Sequence, residues 1–171
     1  WAPDGKLWVA EMADYPSGVN GKAGGRVRFL EDSDADGVYD KSTVFLEGVN
    51  FPAGIMSWQK GVLVAAAPDI FYAEDTTGDG KADKISTYID GLHIPTGFAL
   101  GHGGAYIGNG RDPIHVRDTT GAGMADKREV LFTGFGTGYT HQNIHSFAWS
   151  PVSGGWSGPK PAAAFKNKTP L

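Results

Sequence analysis

Three stretches decide how this chain folds: DSDADGVYD at residues 32–40, DTTGDGKAD at 75–83 and DTTGAGMAD at 118–126. Each begins 43 residues after the one before it. The register continues beyond the acids. STVFLEG, ISTYIDG and REVLFTG follow in turn, ending at Gly48, Gly91 and Gly134, and FPAGI at 51–55 answers IPTGF at 94–98. GVLVAAA from Gly61 answers GAYIGNG from Gly104, and DIFYAED answers IHVRD. Self-similarity at one fixed period is the signature of an architecture built by repeating a supersecondary unit.

Each unit reads as four short strands separated by turn signals. In the second unit these fall near Phe51–Trp58, Gly61–Ala67, Asp69–Glu74 and Ile85–Ile89. The runs KLWVAE and GVLVAAA lack strict alternation, which suits strands buried on both faces. Helical repeats would need a 3.6-residue period, and none is present. Gly supplies 26 of 171 residues, roughly twice the usual ~7% share, as many tight turns require. The expectation is an all-β fold, a β-propeller fragment of three to four four-stranded blades covering residues 1–150, from a larger ring of six or seven blades. An extra stretch, Ala13–Gly25, interrupts the first unit, so that GKLWVAE stands 56 rather than 43 residues before its counterpart at Gly61. Residues 151–171 read as a divergent or poorly ordered end, because GWSGPKPAAAFKNKTPL has no strand pattern.

Composition removes several classes of function. The formal net charge is -4 with scattered basic residues, which leaves no footprint for nucleic acid. No Cys is present, so disulfides and thiolate metal sites are absent from these residues. No apolar run approaches the ~20 residues that span a bilayer, so membrane insertion is not expected of this segment.

Asp32, Asp34, Asp36 and Asp40, with Gly37 at the sixth position, supply the oxygen spacing of a calcium loop. Carboxylates about 5 Å apart repel by ~3 kcal/mol per pair at an effective dielectric near ~20, and by under ~1 kcal/mol in a wet loop. A cation relieves that conflict; a solvated Asp/Gly hairpin turn is the alternative. The second copy keeps Asp75, Asp79 and Asp83 with Thr77 at the third position, and is a weaker candidate for the same ion. The third keeps Asp118 and Asp126 but has Thr120 and Ala122, and reads as a plain turn. If each blade runs from inner to outer strand, the acidic loops share an end of the sheet with the turns joining strands one and two. Chemistry is then expected at the opposite end, where Asn109, Arg111 and Asp112 in GNGRDP and the segment GTGYTHQN at 136–143 lie. His141 and His145 form the sharpest polar cluster. A His can act as a base toward an alcohol or ligate a metal, or it can simply hydrogen-bond within the fold. Arg111 and Asp112 read equally as a local ion pair, and His102 as a turn residue.

Taken together, DxDxDGxxDKxTVFLEG, FPAGI, GVLVAAAPDI, EDTTGDGKAD and FTGFGTGYTHQNIHSFAWSP resemble the propeller domain of large bacterial proteins labelled membrane-bound dehydrogenases. That propeller is similar to soluble quinoprotein glucose and sorbosone dehydrogenases. The resemblance covers roughly Trp1–Pro151. It implies a periplasmic or extracellular oxidoreductase acting on a sugar or alcohol, with pyrroloquinoline quinone over the propeller face and His141 as the base. Arg111, Asn109 and His145 are then candidates for cofactor contact. It also implies that the remaining blades of a parent chain, and a fused cytochrome domain, are the chain's partners. A non-catalytic, calcium-stabilised propeller that binds glycan or protein is the competing expectation.

Overall fold

The computed structural model describes residues 1–13, 15, 21–135, 144, 146–149 and 156–157. Among them there is no helix, and so none long and apolar enough to cross a membrane. Every strand pairing is antiparallel. The chain divides into two compact units, Trp1–Gly91 and Leu92–Leu171.

The first unit holds two sheets. Sheet 1 has the order β1 (Leu7–Glu11), β2 (Gly25–Glu31), β3 (Lys41–Val49). Sheet 2 has the order β4 (Pro52–Trp58), β5 (Gly61–Ala66), β6 (Asp69–Glu74), β7 (Lys84–Ile89). Both are meanders, with neighbours in the sheet also neighbours in the chain; residues 12–24 join β1 to β2, and the acidic loops join β2 to β3 and β6 to β7. The two sheets pack face to face. Val27, Phe29, Phe45 and Val49 of sheet 1 meet Val62, Val64, Ala66 and Ala73 of sheet 2, with Trp8, Ile55 and Phe71 at the margin. Trp8 stands edge-on to Phe45 with ring centroids 4.8 Å apart, an arrangement that aligns the positive ring edge with the negative face. Every residue of β5 is buried, which explains why its sequence is continuously apolar.

The second unit repeats the meander: β8 (Pro95–Gly101), β9 (Gly104–Asn109), β10 (Asp112–Arg117) and β11 (Lys127–Val130) form sheet 3 in sequence order. Beyond it, β12 (Ala148–Trp149) pairs with β13 (Trp156–Ser157). A short strand therefore occurs inside the stretch that sequence pattern assigned no strand. Ile144, fully buried, lies against sheet 3: Thr96 Oγ1 donates to its carbonyl at 2.5 Å, and any Cβ at Gly108 would overlap that same oxygen.

One register differs from the sequence reading. Trp8 lies opposite Phe29 in sheet 1, and Leu63 lies opposite Tyr72 in sheet 2. Phe29 and Tyr72 are 43 apart, so Trp8 corresponds to Leu63, an offset of 55 and not 56. The cause is turn length. Ala2 N–H donates to Lys6 O at 2.9 Å across a three-residue loop, whereas Trp58 pairs with Gly61 across two residues. A one-residue slip exchanges the two faces of a strand, and here it turns Trp8 toward sheet 2.

Candidate functional site

The three acidic loops are built on one frame. In each, the last Asp closes the hairpin: Asp40 N–H donates to Glu31 O, Asp83 N–H to Glu74 O and Asp126 N–H to Arg117 O, at 3.0 to 3.1 Å. The same Asp clamps the second loop residue through both carboxylate oxygens. Ser33 donates its N–H and hydroxyl to Asp40 at 2.9 and 2.5 Å, Thr76 to Asp83 at 2.9 and 2.7 Å, and Thr119 to Asp126 at 2.6 and 2.5 Å. The hydroxyl and amide of Ser33 and of Thr119 hold the carboxyls of Asp40 and Asp126 below the usual carboxylate range, and the amide and hydroxyl of Thr76 do the same for Asp83. The closing aspartates are thus engaged in the turn itself. That role was readable in the sequence, where Ser33, Thr76 and Thr119 recur at the 43-residue spacing.

The leading Asp is engaged alike in the second and third copies and differently in the first. Asp75 Oδ1 accepts from Gly78 N–H at 2.6 Å, Thr77 N–H at 3.1 Å and the Thr77 hydroxyl at 3.3 Å, while Oδ2 accepts from Gly80 N–H at 2.8 Å. Asp118 repeats this with Gly121 at 2.7 Å, the Thr120 amide and hydroxyl at 3.0 and 3.1 Å, and Gly123 at 2.7 Å. These donors lower the pKa of both carboxyls, the Gly80 and Gly123 amides most. In the first loop Asp32 accepts from Gly37 N–H at 2.8 Å and Asp36 N–H at 3.2 Å, and the third position is Asp34, an acceptor where the other copies have a hydroxyl donor. Asp32, Asp34 and Asp36 bring one carboxylate oxygen each within 4.8 Å of one another. Among the described residues this is the one group of three or more metal-ligating side chains so gathered. Asp40 stands outside it, and Asp75, Asp79 and Asp83 form no such group; Asp79 Oδ1 accepts the Lys81 amide at 2.9 Å.

At the acidic end of the first unit a cavity of about 660 Å³ opens between the two sheets, floored by Phe29 and Phe45 and rimmed by Lys6, Glu31, Lys41 and Asp79. Lys6 is held by Asp4 at 2.8 Å and Lys41 by Glu31 at 2.8 Å, so both rim lysines are ion-paired. Beside it the second acidic loop docks on sheet 1: Ala82 N–H donates to Phe45 O at 2.8 Å, and Gly80 faces Thr43 and Phe29.

Of the residues expected to carry chemistry at the other end, His141 and His145 lie outside the described residues. Asn109 Oδ1 accepts the His93 amide at 2.6 Å, so this side chain fixes the entry to β8. Arg111 is well exposed and sits 3.6 Å from Asp112. His93, whose ring lies over Gly110, joins this corner, and nothing in the spacing of the sequence marks it. His102 bonds Tyr106 Oη at 2.7 Å in the β8–β9 turn, as a turn residue should.

Fold and loops together define an all-β protein of recurring antiparallel sheets with acidic hairpins. The chain belongs to the family described as Domain of unknown function (DUF7133), whose model matches residues 1–89 and again 74–153. No curated protein and no solved structure matches it.

Proposed function

We propose that the chain is a section of a β-propeller whose sheets are blades, with one calcium ion held in the first acidic hairpin by Asp32, Asp34 and Asp36. The blade reading is supported by the 43-residue repeat, the two four-stranded meanders of identical strand order, and the face-to-face packing of sheets 1 and 2. The observation that carries the calcium reading is the exchange at the third loop position. Where Thr77 and Thr120 donate to the leading Asp, Asp34 adds a second negative charge and withdraws a donor. Three hard carboxylate oxygens fit calcium, which completes its shell with backbone carbonyls and water. The ion's role is to hold the hairpin. The test is thermal unfolding with calcium against chelator: an ion present at 100 times its Kd adds about 2.7 kcal/mol. Asp36→Ala should abolish that gain. A melting curve indifferent to calcium removes the reading.

A second reading rests on the resemblance of the GYTHQN segment and the other quoted motifs to quinone-dependent dehydrogenases. It makes the parent protein an exported sugar or alcohol oxidoreductase with His141 as base. Of the residues it needs, Asn109 is committed to the His93 amide and only Arg111 is both described and exposed, so no step through a quinone is derived. Dye reduction by the full-length parent loaded with quinone and calcium tests it. No quinone uptake, with glycan or protein binding that survives His141→Ala, favours a non-catalytic propeller.

A further inference from the structure

The cavity at the acidic end of the first unit has one wall that departs from the repeat. On the sheet 2 side it is lined by Ser57, Gln59, Lys60 and Asp79, and 43 residues on the same places hold Leu100, His102, Gly103 and Ala122. The frame around them does not change. Asp75, Gly78 and Gly80 answer Asp118, Gly121 and Gly123, with the same bonds from the loop amides to the leading Asp. Three of the four positions lose their polar group in the third copy, and the fourth, His102, bonds Tyr106 Oη. The turn and the hairpin therefore fold without the side chains that face the cavity, and the reason for their presence is not the fold.

The groups left for a ligand follow from what is already engaged. On the opposite wall Lys6 is paired with Asp4 and Lys41 with Glu31, and Asp75 is occupied by the amides of Gly78 and Gly80. Among the described residues Lys60 and Asp79 belong to no ion pair, and the side chains of Ser57 and Gln59 to no hydrogen bond. Asp79 Oδ1 accepts the Lys81 amide, which leaves Oδ2. The cavity thus presents one ammonium, one carboxylate and one primary amide that both donates and accepts. Below them lie Phe29 and Phe45, with Trp8 half-buried beside them. A ligand of net charge meets one attracting and one repelling group there, whereas a ligand carrying both signs finds a partner for each.

We propose that this cavity binds a zwitterionic dipeptide with an apolar side chain. The ligand ammonium meets the Asp79 carboxylate, its carboxylate meets the Lys60 ammonium, and its peptide group meets the Gln59 amide. Its side chain rests on the floor, where Phe29 and Phe45 offer neither donor nor acceptor. A volume of about 660 Å³ falls within the ~300–1,000 Å³ usual for small-ligand sites. A free amino acid has both charges but no peptide group for Gln59. The calcium and quinone readings are not involved, since the site uses neither the Asp32, Asp34 and Asp36 group nor the other end of the sheets.

The test is an amide NMR titration of residues 1–171 with the dipeptide Gly-Phe. Shifts should gather at residues 57–61 and 78–80. Capping either end of the peptide, as N-acetyl-Gly-Phe or as Gly-Phe amide, should weaken binding about three- to fivefold, the scale of solvent-facing charge pairs. Lys60→Gly should erase the preference over the amide, and Asp79→Ala the preference over the acetylated form. Each change installs the residue that the third copy carries at that place, so the fold accommodates it. No shifts, shifts elsewhere, capped peptides that bind equally well, or a charge preference that survives in the two variants overturns the inference. Phenylalanine binding as tightly as Gly-Phe overturns the peptide assignment, and so does glucose binding in its place, since the site then recognises neutral hydroxyls.

Discussion

Gly61→Ala should be among the most damaging single-methyl changes in the first unit. Gly61 is buried at the start of β5, and a Cβ there would land on the carbonyl oxygen of Ala73 and lie 3.1 Å from Glu74 Cα. All of these are backbone atoms of β6, and Ala73 is itself fully buried opposite Val62, so no side chain can swing aside. Relief requires β5 and β6 to part at this end. Losing about two ladder hydrogen bonds at ~1 kcal/mol each, with ~1–3 kcal/mol of overpacking, gives about 2–4 kcal/mol after a gain of under ~1 kcal/mol from a stiffer unfolded chain. Gly78→Ala is the control: its φ is +83° but nothing lies within 4 Å, so only the ~1–2 kcal/mol of a left-handed residue is at stake. Urea unfolding followed by Trp fluorescence compares them. Gly104→Ala should match Gly61→Ala, since its Cβ would meet Val116 O in the same way 43 residues on. A Gly61→Ala midpoint equal to or above that of Gly78→Ala would refute the reasoning.

Ala35 occupies the left-handed position (φ +62°) that Gly78 and Gly121 fill in the other loops, so Ala35→Gly should raise stability by up to about 1 kcal/mol in chemical denaturation. Asp83 has its folded pKa lowered by the Thr76 amide and hydroxyl, so its contribution is complete above the ordinary value of 3.8 and is lost as pH falls through the lower folded value; an acid titration of Asp83→Asn should show a shallower loss of stability below pH 3.8 than the parent. Gly108→Ala should displace Ile144 and break its bond from Thr96, seen as loss of the protection of sheet 3 in hydrogen exchange.

Much of this was legible because the repeat carries it. Strand positions in the second unit followed from the spacing of turn residues, and the predicted Gly61–Ala67 and Ile85–Ile89 differ from β5 and β7 by one residue at an end. The frame of the acidic loops was also legible in Ser33, Thr76 and Thr119, each three-dimensionally bound to an Asp seven residues on. The register of β1 was not, because Gly5 looks like the mate of Gly61 but lies within a turn one residue longer. Nor was the role of Asn109: its capture of the His93 amide joins residues sixteen apart that no local pattern links. The strand at Trp156–Ser157 escaped because two residues are too few for a period to register.

Calcium titration calorimetry on the purified chain tests the site assignment most directly. One ion per chain, lost in Asp34→Thr because that change restores the hydroxyl donor found in the other two loops, is the predicted result. Two or three ions per chain, or binding that Asp34→Thr leaves intact, would contradict it.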